Sequence, residues 1–194
     1  YNGANCPDYL VRLTTGGTID STFNSGGTGF SGGSVLSTKV QSDGKIIVGG
    51  RFTTYNGVNC PDRLVRLNSD GTIDSTFNPG GTGFNSDVKQ IHIQSDGSIL
   101  AGGDLTTYNG VSCPRGLVRL TTGGTIDSTF NVGGTGFDDI VNSLYLQSDG
   151  KIVVGGLFTK YNGVNCPDRL IRLNSNGSID SNNVKVLLDG AGAL

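Results

Sequence analysis

Hydrophobic and polar positions follow a two-residue beat that glycine interrupts at regular places. Val88 to Gln94 reads VKQIHIQ, Ser95 to Gly97 is SDG turn chemistry, and Ser98 to Thr107 is apolar around a glycine pair. Alternation followed by a three-residue loop ending in Gly predicts a hairpin with a type I turn and a left-handed glycine. In that register Gln94 faces Ser98, Ile93 faces Ile99 and Ile91 faces Ala101. A second hairpin is predicted from Leu64 to Asn68, Ser69 to Gly71 and Thr72 to Phe77. It sets Leu67 against Ile73 on the core side and Arg66 against Asp74 on the other.

The same text recurs. YNG-containing stretches begin at Tyr1, Tyr55, Tyr108 and Tyr161, at spacings of 54, 53 and 53 residues. Each complete unit holds four short strands, starting near Val35, Val88 and Val141, and no 3.6-residue pattern competes. A period of about 53 suits a four-stranded propeller blade, whose repeats run about 40–50 residues. The expected fold is all-β: tandem four-stranded antiparallel blades in a β-propeller or partial propeller. The glycine pairs Gly49-Gly50, Gly102-Gly103 and Gly155-Gly156 lie inside the second strands, where missing side chains let blades converge.

These boundaries divide the chain into a half blade (1–30), three blades (31–83, 84–136, 137–181) and a tail (182–194). The first unit contains only the second hairpin, Leu10 to Phe23. Val184 to Leu188 reads as a first strand with Asp189-Gly190 as its turn, able to join that hairpin and complete a fourth blade. Without such closure the array exposes edges and needs a partner chain, so a homo-oligomer or another chain of one assembly is the expected partner.

Composition narrows the function. Gly is 33 of 194 residues, more than twice the usual ~7%, but its fixed places beside Val, Ile and Leu mark turns and close packing, not disorder. Net charge is −2 and the 14 Lys and Arg are scattered, so no basic patch suits nucleic acid. No apolar run approaches the ~18 residues that suggest a span, and no membrane insertion is expected. Met is absent, including at position 1, so a processed product or a segment of something longer is expected. Cys6, Cys60, Cys113 and Cys166 occupy one place in successive repeats. That placement argues for separate free thiols, since a disulfide needs Cα atoms within ~7 Å. With a single His in support, a metal site is not expected, and no cofactor is implied.

The run LVRLNSDGTIDSTFNPGGTGFN, followed by QSDGSILAGG and YNG, resembles the delta-60 repeat, a β-propeller-type repeat of large bacterial and phage surface proteins. The likeness covers roughly residues 1 to 181. It implies an extracellular, virion or cell-surface location and a structural or binding role, and brings no catalytic residues.

Several motifs invite chemistry. Arg12 with Asp20, Arg66 with Asp74, Arg119 with Asp127 and Arg172 with Asp180 resemble acid-base pairs. Four copies at a strand register read as a structural ladder. GGTGF at Gly26, Gly80 and Gly133 lacks the following GK[ST] of a phosphate loop. GGTGFDDIV at Gly133 to Val141 fits one calcium nonapeptide, but the copies lie 53 or 54 apart; the alternative is a crossing whose Phe30, Phe84 and Phe137 plug the core. The SDG turns lack the Trp of an Asp-box. Asp104, Asp138 and Asp139 remain unassigned acids. His92, Lys39 and Tyr145 share one place and read as solvent- or channel-facing.

The remaining candidate is a loop rim of Tyr1, Tyr55, Asn56, Tyr108, Asn109, Tyr161 and Asn162, whose aromatic faces and amides suit a sugar. The leading expectation is a non-catalytic structural or binding module of a surface assembly: spacer, decoration or attachment element. A lectin-like glycan binder is the alternative, and a propeller hydrolase the third.

Overall fold

The computed structural model of the chain describes residues 7–166 and 169–181. The expectations for Tyr1, Cys6 and the tail 182–194 lie outside them. Three antiparallel sheets repeat along the chain. Blade one orders Val35–Val40, Ile46–Gly50 and Leu64–Leu67; blade two orders Val88–Ile93, Ile99–Gly103 and Leu117–Leu120; blade three orders Val141–Leu146, Ile152–Gly156 and Leu170–Leu173. A fourth strand is reduced to one antiparallel bridge in each, Leu67 to Ile73, Leu120 to Ile126 and Leu173 to Ile179. The half blade carries the equivalent bridge, Leu13 to Ile19. No helix among the described residues is long and apolar enough to cross a membrane.

The hairpin register is the one read from the sequence: Ile93 pairs with Ile99 and Ile91 with Ala101. Gly97 donates its amide to the Gln94 carbonyl at 2.9 Å and has φ +84°, the turn-plus-left-handed-glycine loop. The sequence did not reveal a register shift between Val88 and Gln90. An extra residue there lets Val88 and Ile91, three apart, reach the same side of the sheet.

That shared side packs one blade on the next. A Cβ built on Gly49 would lie 2.7 Å from both Val88 Cγ1 and Ile91 Cδ1, and one on Gly102 would lie 2.8 Å from Leu144 Cδ1. Gly49 and Gly102 are therefore required where the next blade's side chains press onto the strand, whereas the second glycine of each pair, Gly50, Gly103 and Gly156, faces a carbonyl of its own blade (Ser34, Asp87 and Ile140). The cores are correspondingly shared. Ile47, Leu64 and Phe77 cluster with Val88, Ile91 and Ile99, while Leu100, Leu117 and Phe130 cluster with Val141, Leu144 and Ile152. Since a fully buried aliphatic side chain is worth about 1.5–3 kcal/mol, each blade depends on its neighbour for much of its core.

Candidate functional site

The Tyr-Asn-Gly loop is a hairpin of its own, inserted between the second and third strands of each blade. Thr54–Tyr55 pairs with Val58–Asn59, Thr107–Tyr108 with Val111–Ser112, and Lys160–Tyr161 with Val164–Asn165. Asn56 and Gly57 have φ +51° and +76°, and the other two copies match. Two successive left-handed residues make the type I′ turn that Asn-Gly favours.

Its tyrosines do not form a rim. Tyr55, Tyr108 and Tyr161 are 2%, 2% and 1% exposed. Each ring lies 4.5 Å from the Phe of GGTGF: Phe30, Phe84 and Phe137 respectively. Their hydroxyls donate to the carbonyls of Gly71, Gly124 and Gly177, each at 2.6 Å. Burial pushes the Tyr55 phenol up to about 12. The physical reason is that the twisted hairpin folds its aromatic residue under the loop, where Phe supplies the apolar surface and the glycine carbonyl satisfies the hydroxyl.

The asparagines are equally engaged. Asn109 accepts from the Gly83 amide at 2.9 Å and exchanges amide hydrogen bonds with Asn78 at 2.6 and 3.1 Å. Asn56 does the same with Gly29 and Asn24, and Asn162 with Gly136 and Asn131. What the hairpin presents to solvent is Val58, Val111 and Val164 with the polar Asn59, Ser112 and Asn165 beside them.

The Arg–Asp ladder exists, with Nε to carboxylate distances of 2.8 Å (Arg12–Asp20), 2.7 Å (Arg66–Asp74), 2.8 Å (Arg119–Asp127) and 2.7 Å (Arg172–Asp180). It is also more than a ladder. Arg66 Nη1 donates to the Thr122 carbonyl of the following repeat at 2.7 Å, Arg119 to Ser175 at 2.8 Å, and Arg12 to Ser69. The guanidinium carbons of Arg12, Arg66 and Arg119 sit 4.7, 4.7 and 4.9 Å from the ring centres of Phe23, Phe77 and Phe130. Alongside, the amides of Asn24, Asn78 and Asn131 donate to Asp70, Gly123 and Asn176. Arg12, Arg66 and Arg119 therefore each clasp the turn of the next repeat, a reach of 56 or 57 residues that no local pattern signals.

The remaining candidates are accounted for by nearby bonds. Asp138 accepts from the amides of Thr159 and Lys160 and the Thr159 hydroxyl, at 2.8, 2.9 and 2.7 Å. These bonds, the Thr159 hydroxyl foremost, hold its carboxyl down at about 2. Asn85 makes the matching backbone contacts in blade two, so this position caps a strand. Asp104 and Asp139 both pair with Arg115, at 3.2 and 3.4 Å. Among the described residues no cluster of three or more His, Cys, Asp or Glu could hold a metal. Cys60, Cys113 and Cys166 are free thiols, and burial raises the first two to about 11.

His92 and Tyr145 diverge. Tyr145 is exposed, whereas His92 bonds the Leu144 carbonyl of the next blade through Nε2 at 2.9 Å, and burial holds its pKa below the ordinary value. A groove of about 490 Å³ lies at the turn end of blades two and three, lined by Gln94, Asp96, Arg119, Gln147 and Ser175. Its one arginine is already bound to Asp127 and Ser175.

Three stretches, residues 41–77, 94–130 and 147–182, match a family described as a domain of unknown function (DUF5122) beta-propeller. The chain belongs to this family. Each match runs from the first turn of a blade through the Tyr-Asn-Gly hairpin to the outer strand, so the conspicuous repeated text is the propeller unit of DUF5122 itself. No curated protein matches the chain.

Proposed function

We propose that this DUF5122 propeller is a non-catalytic structural module, a spacer, decoration or attachment element in an assembly on a virion or bacterial cell surface, with other protein chains of that assembly as partners. The observation that carries the reading is the use made of the repeated polar groups. Tyr hydroxyls, Asn amides and Arg guanidinia are spent, copy after copy, on bonds within and between repeats. A site for a substrate needs polar groups left over to orient it, whereas a load-bearing array needs them turned inward. The surface location and the finer delta-60 assignment rest on the sequence resemblance.

The test is a glycan array read beside a thermal-shift screen on the intact chain. No sugar is expected to bind or to raise the melting temperature. A specific glycan that does both, with the effect lost on replacing Asn109, replaces this reading with the lectin-like one. Hydrolytic activity lost on replacing a single Asp replaces it with an enzyme.

A further inference from the structure

Four Asn-Gly pairs lie among the described residues: Asn56-Gly57, Asn109-Gly110, Asn162-Gly163 and Asn176-Gly177. A glycine after asparagine leaves its amide nitrogen open to the side-chain carbonyl carbon, because no Cβ stands in the way. Three of the four pairs are closed by the fold. In the Tyr-Asn-Gly hairpins the side-chain amide uses both ends. Asn109 Oδ1 accepts from the Gly83 amide at 2.9 Å while its Nδ2 donates to Asn78 Oδ1 at 2.6 Å, and Asn56 and Asn162 match. Such an amide must leave its partner before its carbon can turn toward the next residue.

Asn176 is held differently. It stands exposed in the turn of an outer hairpin, where the other repeats carry Gly16, Asp70 and Gly123. Its Oδ1 accepts two bonds, from the Ser178 amide at 3.0 Å and the Ser178 hydroxyl at 2.8 Å. The hydroxyl is aimed by Asn174, whose Nδ2 donates to Ser178 Oγ at 2.9 Å, so its own hydrogen is left for Asn176. A groove of about 220 Å³, lined in part by Asn131, Asn162 and Ser178, opens beside the Asn176 amide and gives water access to it. Asp70 receives the same two bonds from Thr72, but as a carboxylate, which resists attack. At Asn176 they fall on a neutral amide followed by glycine.

We propose that Asn176 is a self-modification site, converting in the folded protein to aspartate and isoaspartate. The Gly177 nitrogen gives its proton to solvent base and attacks Cγ of Asn176. Negative charge gathers on Oδ1, where the two Ser178 donors already point, the arrangement of an oxyanion hole. The N–Cγ bond forms, the Cγ–Nδ2 bond breaks, and Nδ2 departs as ammonia with a proton from water, leaving a cyclic imide. Water then opens the imide. Opening at Cγ gives aspartate, which suits the turn as Asp70 does; opening at the main-chain carbonyl gives isoaspartate, whose backbone is longer by one atom. That atom enters a junction between repeats, because the carbonyls of Ser175, Asn176 and Gly177 accept from Arg119, the Asn131 amide and the Tyr161 hydroxyl at 2.8, 2.9 and 2.6 Å. The seating of these repeats thus loosens slowly and irreversibly as the protein ages, whatever the module binds.

Peptide mapping by tandem mass spectrometry tests this on the intact chain, held folded and, in parallel, unfolded in guanidinium chloride at the same pH. All four pairs should convert when unfolded. In the folded chain Asn176 should keep converting while Asn56, Asn109 and Asn162 slow by about tenfold or more, since each must first give up its hydrogen-bonded partner. Ser178→Ala removes the hydroxyl donor and keeps the turn amide; it should slow Asn176 by at least about tenfold in the folded chain and leave the unfolded rate unchanged. Ser178→Thr, with the hydroxyl that Thr72 supplies in the equivalent turn, should restore the folded rate. The isoaspartate fraction should melt at a lower temperature than unconverted protein. The proposal is overturned by an Asn176 as protected in the folded chain as the hairpin asparagines, by a Ser178→Ala variant that converts at the unmodified rate, or by an isoaspartate fraction that melts with the unconverted chain.

Discussion

Arg66 donates to the Thr122 carbonyl across a blade junction at 2.7 Å, 56 residues along the chain, while its Nε holds Asp74 at 2.7 Å within its own hairpin. The side chain is therefore shared between folding one repeat and seating the next. Arg172 makes the same internal bond to Asp180, and both carboxylates also have a lysine, Lys45 at 2.7 Å and Lys151 at 3.1 Å. Comparing the two arginines isolates the junction. Arg66→Ala should lower stability by about 3 kcal/mol, the range for breaking a buried pair. Arg172→Ala should cost about 1 kcal/mol, since its side chain is 27% exposed against 9% for Arg66 and a partly solvated pair is worth less. Urea unfolding followed by circular dichroism checks this, and equal losses contradict the shared role.

Gly102 and His92 both face Leu144, but with opposite tolerance. The first Cβ atom of Gly102→Val would already lie 2.8 Å from Leu144 Cδ1. Forcing two blades apart should cost at least about 2 kcal/mol. His92→Ala gives up one half-buried bond to the Leu144 carbonyl, worth about 1 kcal/mol. Similar melting temperatures for the two variants would show that Gly102 is not a packing point.

Acid should loosen the array. Burial by itself would raise the Asp74 carboxyl, but Lys45, the Thr76 hydroxyl and amide, and Arg66 outweigh it and hold the group well below the usual carboxylate range. Asp138 is held at about 2, chiefly by the Thr159 hydroxyl. A folded-state pKa below the unfolded value stabilises the fold above the unfolded pKa of about 4, and that contribution is lost as pH falls through the folded value. The melting temperature should stay level from neutrality to about pH 4 and then fall toward about pH 2. A level curve throughout would mean that these carboxylates do not contribute.

Much of this was legible in the sequence because it is local. Ile93 with Ile99, and Arg66 with Asp74, sit across three-residue turns whose glycine fixes the register. The burial of Phe30, Phe84 and Phe137 followed from apolar residues beside glycine-rich crossings. What escaped is non-local or conformational. The Arg66 to Thr122 clasp spans a whole repeat, and the bulge at Val88–Gln90 carries no marker residue. The tyrosines were misplaced because Asn-Gly marked a turn without saying which face of the hairpin is covered. The constant 16-residue offset from Tyr55 to Gly71, Tyr108 to Gly124 and Tyr161 to Gly177 was the available signal.

The central claim is that the repeated Tyr-Asn-Gly motif is part of the fold and not a binding rim, and Tyr108→Phe tests it most directly. The variant removes only the hydroxyl that donates to Gly124 at 2.6 Å and keeps the ring against Phe84. Leaving that buried carbonyl without its donor should lower the unfolding free energy by about 1–2 kcal/mol, with the native circular dichroism spectrum retained. An unfolding midpoint identical to that of the unmodified chain would contradict the account.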